Sequence, residues 1–424
     1  MPAPYKPTRD DPPGVPARRA ALRLLDAVLR RGQALEGALH NATQGLDNSS
    51  DRALTHAIAA QVLRRLADLD ALIDSATRQL LPDDAKARFA LRIALAQAIL
   101  LETPPHAAIS TVLPLVDGGP RKLVHGVFGT LMRANAALPD VATLPPAVAA
   151  RWEAAWGADM VEAAGRAIVD QPPLDLSLKS EAVEHPDGVS LAPHHVRLPV
   201  GTSVRAAEGF GEGGWWVQDL AASLPARLLG AGKGHVLDLC AAPGGKTMQL
   251  AAAGWDVTAL DVSEARLARL SDNLARTGLS VDVVVADALS WTPPAPFDAI
   301  LIDAPCSATG IFRRHPDVLH RATARVIAEA RDIQAALLAR AADWARPGGT
   351  IVYAVCSLEP EEGEAQIAAF RAARDDFAIV PVSADELPDG IVPSADGFVR
   401  TLPGMLGDRG GLDGFFIARM TRNG

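Results

Sequence analysis

Three cysteines carry the first chemical signal in this chain: Cys240, Cys306 and Cys356, separated by 66 and 50 residues. Such separations fail every short zinc spacing and offer no disulfide scaffold, so each cysteine is core filler or a reactive thiol. Acidic residues accompany them. Asp238-Leu239-Cys240 and Asp303-Ala304-Pro305-Cys306 each follow an apolar run, as do Asp261, Asp287 and the third thiol in Tyr353-Ala354-Val355-Cys356-Ser357. A Gly-Gly turn stands beside the first cysteine, in Cys240-Ala241-Ala242-Pro243-Gly244-Gly245-Lys246-Thr247. Its tail is like a phosphate-binding loop, but Cys240 occupies the position where that loop needs glycine. The glycine pattern of dinucleotide sites is also missing. The turn still allows a ligand to approach backbone N–H groups at a helix N-terminus. Asp261 follows Asp238 by 23 residues, near the roughly 20 expected for a carboxylate gripping ribose hydroxyls. A ribose-bearing ligand without a pyrophosphate fits these features best. S-adenosyl-L-methionine is such a ligand, with Asp287 facing its adenine.

These residues need a scaffold that brings them together. Strands are predicted at His235–Leu239, Asp256–Leu260, Val281–Ala286, Phe297–Ile302 and Thr350–Val355, with Ala378–Val382 and Gly414–Arg419 closing the domain. Helical periodicity separates them at Lys246–Ala253, Ser263–Thr277 and Thr323–Arg346, and Pro347-Gly348-Gly349 reads as a helix stop. Alternating strands and helices with near-continuous apolar strands imply an α/β, doubly wound, Rossmann-like sheet. Ligands of such sheets collect outside the carboxyl ends of the strands, where these carboxylates and thiols fall.

Upstream, residues 17–145 read as an all-α domain of about six helices. Pro104-Pro105 divides a helix at Ala87–Leu101 from one at Ala107–Val116, which Gly118-Gly119-Pro120 is expected to end. Residues 1–16 form a Pro-rich, flexible leader. Residues 146–214 read as a small α/β subdomain, with a helical stretch Val148–Ile168 that sets Trp152 and Trp156 on one face and a strand at Leu174–Leu178. Residues 215–424 make the ligand-binding domain.

Composition limits the function classes. The chain of 424 residues is 49% hydrophobic and 21% charged, so it builds folded cores. Its 41 Lys+Arg against 50 Asp+Glu give a net charge of -9, which excludes a uniformly basic nucleic-acid coat. Divided at Pro145, the charge is +3 before and -12 after, so any grip on nucleic acid falls to the helical domain and to local arginines. Arg18-Arg19, Arg30-Arg31 and Arg64-Arg65 are such pairs, each also readable as an ordinary wet helix face. No apolar run nears the roughly 20 residues that span a bilayer, so a cytoplasmic protein with no membrane partner is expected. Trp215 and Trp216 fit base stacking or core packing.

Asp238–Thr247, Asp303–Gly310 (Asp-Ala-Pro-Cys-Ser-Ala-Thr-Gly) and Tyr353–Ser357 resemble motifs of the RsmB/Fmu and NSUN group of RNA cytosine-5 methyltransferases. Trp216-Val217-Gln218-Asp219 and Arg313-Arg314-His315-Pro316-Asp317 match further patterns of that group. Pro104-Pro105-His106-Ala107-Ala108 and the Gly126-Val127 segment are similar to the NusB-like domain attached to RsmB. The resemblance spans nearly the whole chain. It implies an all-α NusB-like RNA-binding domain, a class I methyltransferase domain, S-adenosyl-L-methionine as cofactor, and 16S ribosomal RNA, free or in a partly assembled small subunit, as partner of a monomeric enzyme.

The resemblance also implies roles. Cys356 is the nucleophile that adds to cytosine carbon 6, making carbon 5 able to accept a methyl group. Cys306 assists removal of the carbon-5 proton and product release. Asp303 sits where donor and cytosine edge meet, and Lys246 positions it or lowers a thiol pKa. Cys240, Ala241, Ala242, Pro243, Gly244, Gly245, Lys246, Asp261, Asp287 and Asp303 hold the donor. Arg313 and Arg314 contact RNA phosphates, His315 is structural, and no metal is used. The chain departs from the family at Val355, where many relatives carry Thr, at His125 for Asn, and at Leu319-His320 for Lys-Trp. Those last two positions bear on RNA contact. Competing readings are another RNA substrate such as tRNA, an adenine amino-methyltransferase, and a non-catalytic RNA-binding assembly factor. The adenine enzymes favour a second Pro and an aromatic that Asp303-Ala304-Pro305-Cys306 lacks.

Overall fold

A computed structural model describes residues 11–204 and 207–424, so most of the expected leader, residues 1–10, lies outside the described residues. The chain divides into two compact units. The first runs to Ala150 and also takes in residues 161–170 and 314–321; the second holds the rest.

The first unit is helical, with helices at Val15–Leu29, Leu35–Ala42, Ser49–Arg64, Leu66–Ser75, Lys86–Leu95, Pro105–Val112 and Gly118–Arg133. Leu24, Leu25, Val28, Ile58, Val62 and Leu69 are buried at helical spacing and form its core. Two expectations are corrected here. The Ala87–Leu101 helix is α-helical only to Leu95 and continues as a π turn, Ala96–Leu100. Gly118-Gly119-Pro120 starts a helix instead of ending one, because a proline in the first turn removes no intrahelical hydrogen bond. Arg88 and Arg92, both buried, converge on Asp70, which accepts from Arg92 at 2.8 Å through both oxygens and lies 3.1 Å from Arg88.

In the second unit, β1 (Leu174–Leu178), β2 (His195–Leu198) and β3 (Trp215–Val217) form an antiparallel sheet in the order β2-β1-β3. Buried Asp175 on β1 accepts from Arg197 of β2 at 2.6 and 2.7 Å and from the Leu220 backbone N–H at 2.9 Å. That carboxylate fastens the small sheet to the helix Leu220–Arg227. Trp215 and Trp216 are buried and donate to the Glu208 carbonyl and to Gln218 Oε1, so both pack and neither presents a face for a base.

The large sheet consists of β4 (His235–Leu239), β5 (Asp256–Asp261), β6 (Asp282–Val285), β7 (Phe297–Asp303), β8 (Ala345–Val355), β9 (Phe377–Ile379), β10 (Val399–Thr401) and β11 (Phe415–Arg422). Its order is β10-β11-β8-β7-β4-β5-β6, with β9 against β11. The run from β8 to β6 is parallel, and β11 is antiparallel to its neighbours. The central strands are apolar on both faces. Leu237, Ile300, Ile302 and Ile351 pack with Leu337 and Ala341 of the helix Ala324–Trp344. The alternate residues Val236, Leu301 and Val352 pack with Leu220, Leu224 and Leu250 on the other face. The expected stop at Pro347-Gly348-Gly349 lies inside β8, because the preceding helix already ends at Trp344. The extra residues form an irregularity: Phe297 pairs with Ala345, yet Ala299 pairs with Thr350. Among the described residues, no helix is long and apolar enough to cross a membrane.

Replacing Asp70 with Ala leaves two buried guanidinium groups without their shared carboxylate. The Asp70→Ala chain is expected to lose about 3 kcal/mol of stability, read by urea denaturation followed by far-UV circular dichroism.

Candidate active site

Register brings the reactive residues level. In the parallel pairs, Leu239 stands opposite Leu260 and Ile302, and Asp303 opposite Ala354. The carboxyl ends of β4, β5, β7 and β8 therefore share one rim. The chain proceeds from β4 outward through β5 and β6, then returns to β7 on the other side of β4, and a sheet reversing in this way opens a ligand crevice at the reversal.

The loop after β4 is shaped by backbone contacts with β5. Cys240 and Ala241 donate N–H bonds to the Leu260 carbonyl at 2.9 and 3.1 Å, and Ala242 donates to Asp261 Oδ2 at 3.2 Å. Gly244 has φ of +104°, and an added Cβ would sit 2.2 Å from Leu270 Cδ1. Only glycine fits there, and the helix Gly245–Ala252 starts at once. Buried Asp261 also accepts from the Ser263 N–H at 2.9 Å. Val262 beside it is 68% exposed, an apolar surface at the rim that no motif in the sequence marks. Asp287 is exposed and caps its own turn through the Leu289 N–H at 2.9 Å.

Asp238 is fully buried and accepts from Thr247 Oγ1 at 2.5 Å, while its Oδ1 has no hydrogen-bond partner among the described residues. Burial raises its carboxyl to about 7. Burial, followed by the nearby charges of Asp303, Asp261 and Asp238, pushes the Cys240 thiol up to about 12. Cys240 is thus an uncharged thiol that packs and offers its backbone, not a nucleophile.

The other two thiols meet, with Cys306 Sγ and Cys356 Sγ 3.4 Å apart. The hydrogen bond to Cys356, and then burial, hold the Cys306 thiol well above its ordinary value. Lys246 Nζ donates to Asp303 at 2.7 Å. Burial disfavours the lysine charge, but Asp303 outweighs it and the Cys356 sulfur adds to the attraction, so the ammonium is held. The loops carrying the cysteines are laced together. Gly310 donates to the Cys356 carbonyl at 3.0 Å and accepts from the Gly414 N–H at 2.9 Å. A Cβ on Gly310 would lie 1.9 Å from the Gly414 oxygen, which explains the glycine ending the Asp303–Gly310 motif.

Residues outside the motifs support the Cys356 loop. Arg400 donates to the Ser357 carbonyl at 2.6 Å and pairs with Glu364. Trp156 donates to the Leu358 carbonyl at 2.8 Å, and Trp152 to buried Glu359 at 3.1 Å.

The two arginines expected at RNA fare differently from the thiols. Arg313 is 4% exposed and donates to the Gly410 carbonyl at 2.7 Å, so it secures a loop instead of meeting a phosphate. Arg314 is half-buried and belongs to the first unit. In that unit, half-buried His320 bonds the Leu63 carbonyl at 2.8 Å and Asp317 accepts from the Leu35 N–H at 3.1 Å, so this segment is structural. His315 is half-buried, and burial lowers its imidazole pKa. His125 is exposed on the helix Gly118–Arg133. Of the arginine pairs, Arg18 and Arg65 are buried, held by Gln97 and by Asp68; Arg30 and Arg31 are exposed beside Asp26.

A switch-point crevice with a glycine-walled loop, a ribose-spaced carboxylate and an unpartnered buried carboxylate oxygen suits a nucleoside donor carrying hydroxyl and ammonium groups. Fold and rim define the class I methyltransferases that use S-adenosylmethionine. Residues 228–421 match the 16S rRNA methyltransferase RsmB/F family, and residues 15–131 match the NusB family. The chain is 33% identical to ribosomal RNA small subunit methyltransferase B of Klebsiella pneumoniae, over 96% of this chain and 98% of that protein. It is 32% identical to the Salmonella arizonae protein of the same name over the same shares. The crystal structure of PH0851 has the same fold, with a TM-score of 0.70 at 23% identity over 96% of this chain and 98% of that one. A methyltransferase homologue from Pyrococcus horikoshii gives a TM-score of 0.54 at 26% identity over 69% of this chain and 98% of its own. The chain belongs to the ribosomal RNA small subunit methyltransferase B family.

The raised Asp238 carboxyl sets a pH signature. The folded chain keeps this proton up to about pH 7, whereas an unfolded aspartate releases it near pH ~4. Stability is therefore lost as pH rises from about 4 to about 7. Asp238→Asn is expected to flatten that dependence and to raise Tm at pH 8 by about 2–4 °C, measured by scanning calorimetry across pH.

Proposed function

We propose that the protein methylates carbon 5 of a cytosine in 16S ribosomal RNA, free or in a partly assembled small subunit, through a covalent Cys356 intermediate. The observation that carries this reading is the pair of sulfurs 3.4 Å apart, flanked by the Lys246–Asp303 ion pair. The name shared by the relatives supports ribosomal RNA as the substrate class.

S-adenosylmethionine, when bound, supplies an electrophilic methyl group on a sulfonium. The Cys240–Gly245 backbone and Asp261 would hold its nucleoside, Asp287 and Val262 would line the adenine side, and Asp303 with Lys246 would meet its methionine end. Cys356 Sγ, as thiolate, forms a bond to cytosine carbon 6, and the electron pair displaced toward the ring makes carbon 5 nucleophilic. Asp303, half-exposed at the rim, faces the polar edge of the pyrimidine. As carbon 5 forms its bond to the methyl group, the methyl–sulfur bond of the donor breaks. The carbon-5 proton then leaves with assistance from Cys306, the carbon 5–carbon 6 double bond returns, and Cys356 departs as thiolate. A sulfur separation of 3.4 Å supports a reading in which one thiol works at carbon 6 and the other beside the proton on carbon 5.

Ribosomal RNA incubated with the purified protein and donor is expected to yield 5-methylcytidine on nucleoside mass spectrometry. Cys356→Ala should reduce turnover by about 10⁴-fold or more. Cys306→Ala should instead accumulate an RNA–protein adduct stable in denaturing gels; clean turnover by that variant would contradict the assigned release role.

A further inference from the structure

Each cysteine of the pair is followed directly by a serine, Cys306 by Ser307 and Cys356 by Ser357. Both serine hydroxyls donate to one carboxylate oxygen, Glu362 Oε2, and also lie 3.2 Å from one another. The other oxygen accepts from the Ser307 N–H at 2.8 Å and from Gln334 Nε2 at 3.2 Å. Gln334 also donates to the Pro305 carbonyl at 2.9 Å, immediately before Cys306. Glu362 itself is fully buried, and its backbone carbonyl accepts from Tyr353 on β8 at 2.7 Å. Every group facing its side chain is thus a donor, and the arrangement favours an ionised carboxylate even though burial raises the Glu362 pKa. In contrast, among the described residues the only hydrogen-bond contact between side chains at the two sulfurs is the one they make to each other. Their separation is set by the loops that carry them.

We infer that Glu362 is a positioning residue of methyl transfer, a carboxylate clamp that holds the Cys306 and Cys356 sulfurs in register by anchoring the serine after each. It touches neither substrate nor donor and acts through Ser307 and Ser357. The inference rests on the proposed two-thiol mechanism for its functional consequence, but the clamp has a readout that needs no RNA. A trivalent arsenical such as phenylarsine oxide condenses with two thiols. Its As=O bond and two S–H bonds break, two As–S bonds form, water leaves, and no electron changes hands. Chelation requires both sulfurs at the spacing seen here.

Wild-type protein should bind phenylarsine oxide at one per chain, with loss of binding in Cys306→Ala. Glu362→Gln turns an acceptor into an amide donor facing donors. Losing the second As–S bond should weaken capture by about 100-fold. The same variant should lower kcat by about 100-fold through sulfur misplacement, with KM for donor and RNA within about 2-fold. Wild-type capture and wild-type kcat in Glu362→Gln would overturn the clamp. If Glu362→Gln fails to fold by circular dichroism, the double variant Ser307→Ala with Ser357→Ala keeps the carboxylate and cuts its ties; it should show both losses, and wild-type capture with wild-type kcat in that variant would overturn the inference. Wild-type protein that chelates the arsenical but makes no 5-methylcytidine would sink the proposed function and leave the clamp standing.

Discussion

Parallel pairing of β7 with β8, in the register that sets Asp303 against Ala354, is the constraint on which the site depends. Three residues beyond Asp303 comes Cys306, and two beyond Ala354 comes Cys356. A slip of one residue in this pairing would turn the strand faces over and move the thiols apart. The register is well determined because both faces are buried, Ile300 and Ile302 against one helical layer and Leu301 against the other. The same packing lifts Asp238 and Asp303 to the rim on neighbouring strands. Methyl-transfer chemistry is thus positioned by hydrophobic burial several residues away from any reacting atom.

Electrostatics at the rim divides similar residues into different roles. Cys240 lies among carboxylates and behaves as an inert thiol, whereas Cys356 stands within the influence of the Lys246 ammonium. Asp238 sits in a fully buried position with its pKa raised, and Asp303 keeps an ion pair at a half-exposed one. Burial, more than residue type, sets Asp238 and Cys240 apart. Two buried carboxylates, Glu362 and Asp238, are costs to stability that the packed sheet carries because they order the site.

Much of this was legible in the linear chain. β4 and β1 have the predicted bounds, β5 and β7 run one residue further at one end, and β6 is one residue shorter at each end, because apolar runs bounded by Asp, Gly and Pro mark buried parallel strands. The four rim aspartates and three cysteines follow from those strand ends. What was not legible depends on partners far along the chain. Arg313 reads as a surface charge, yet its acceptor is the carbonyl of Gly410, 97 residues away. Glu362 draws its donors from Ser307, Gln334 and Ser357, two of them tens of residues upstream. Local signals also misled where one residue type serves opposite ends of a helix: Gly118-Gly119-Pro120 reads as a stop but forms a first turn. Ile58, Val62, Leu66, Leu69 and Ile73 keep one helical spacing along the sequence, yet the chain breaks at Arg65 into two helices.

In the proposed reaction, carbon 5 of cytosine loses its hydrogen while a thiol holds carbon 6. The direct measurement uses ribosomal RNA transcribed with 5-deuterated cytidine and follows deuterium released to water alongside methyl groups incorporated. One deuterium released for each methyl transferred is the predicted result. Methyl incorporation with the carbon-5 deuterium fully retained would contradict it.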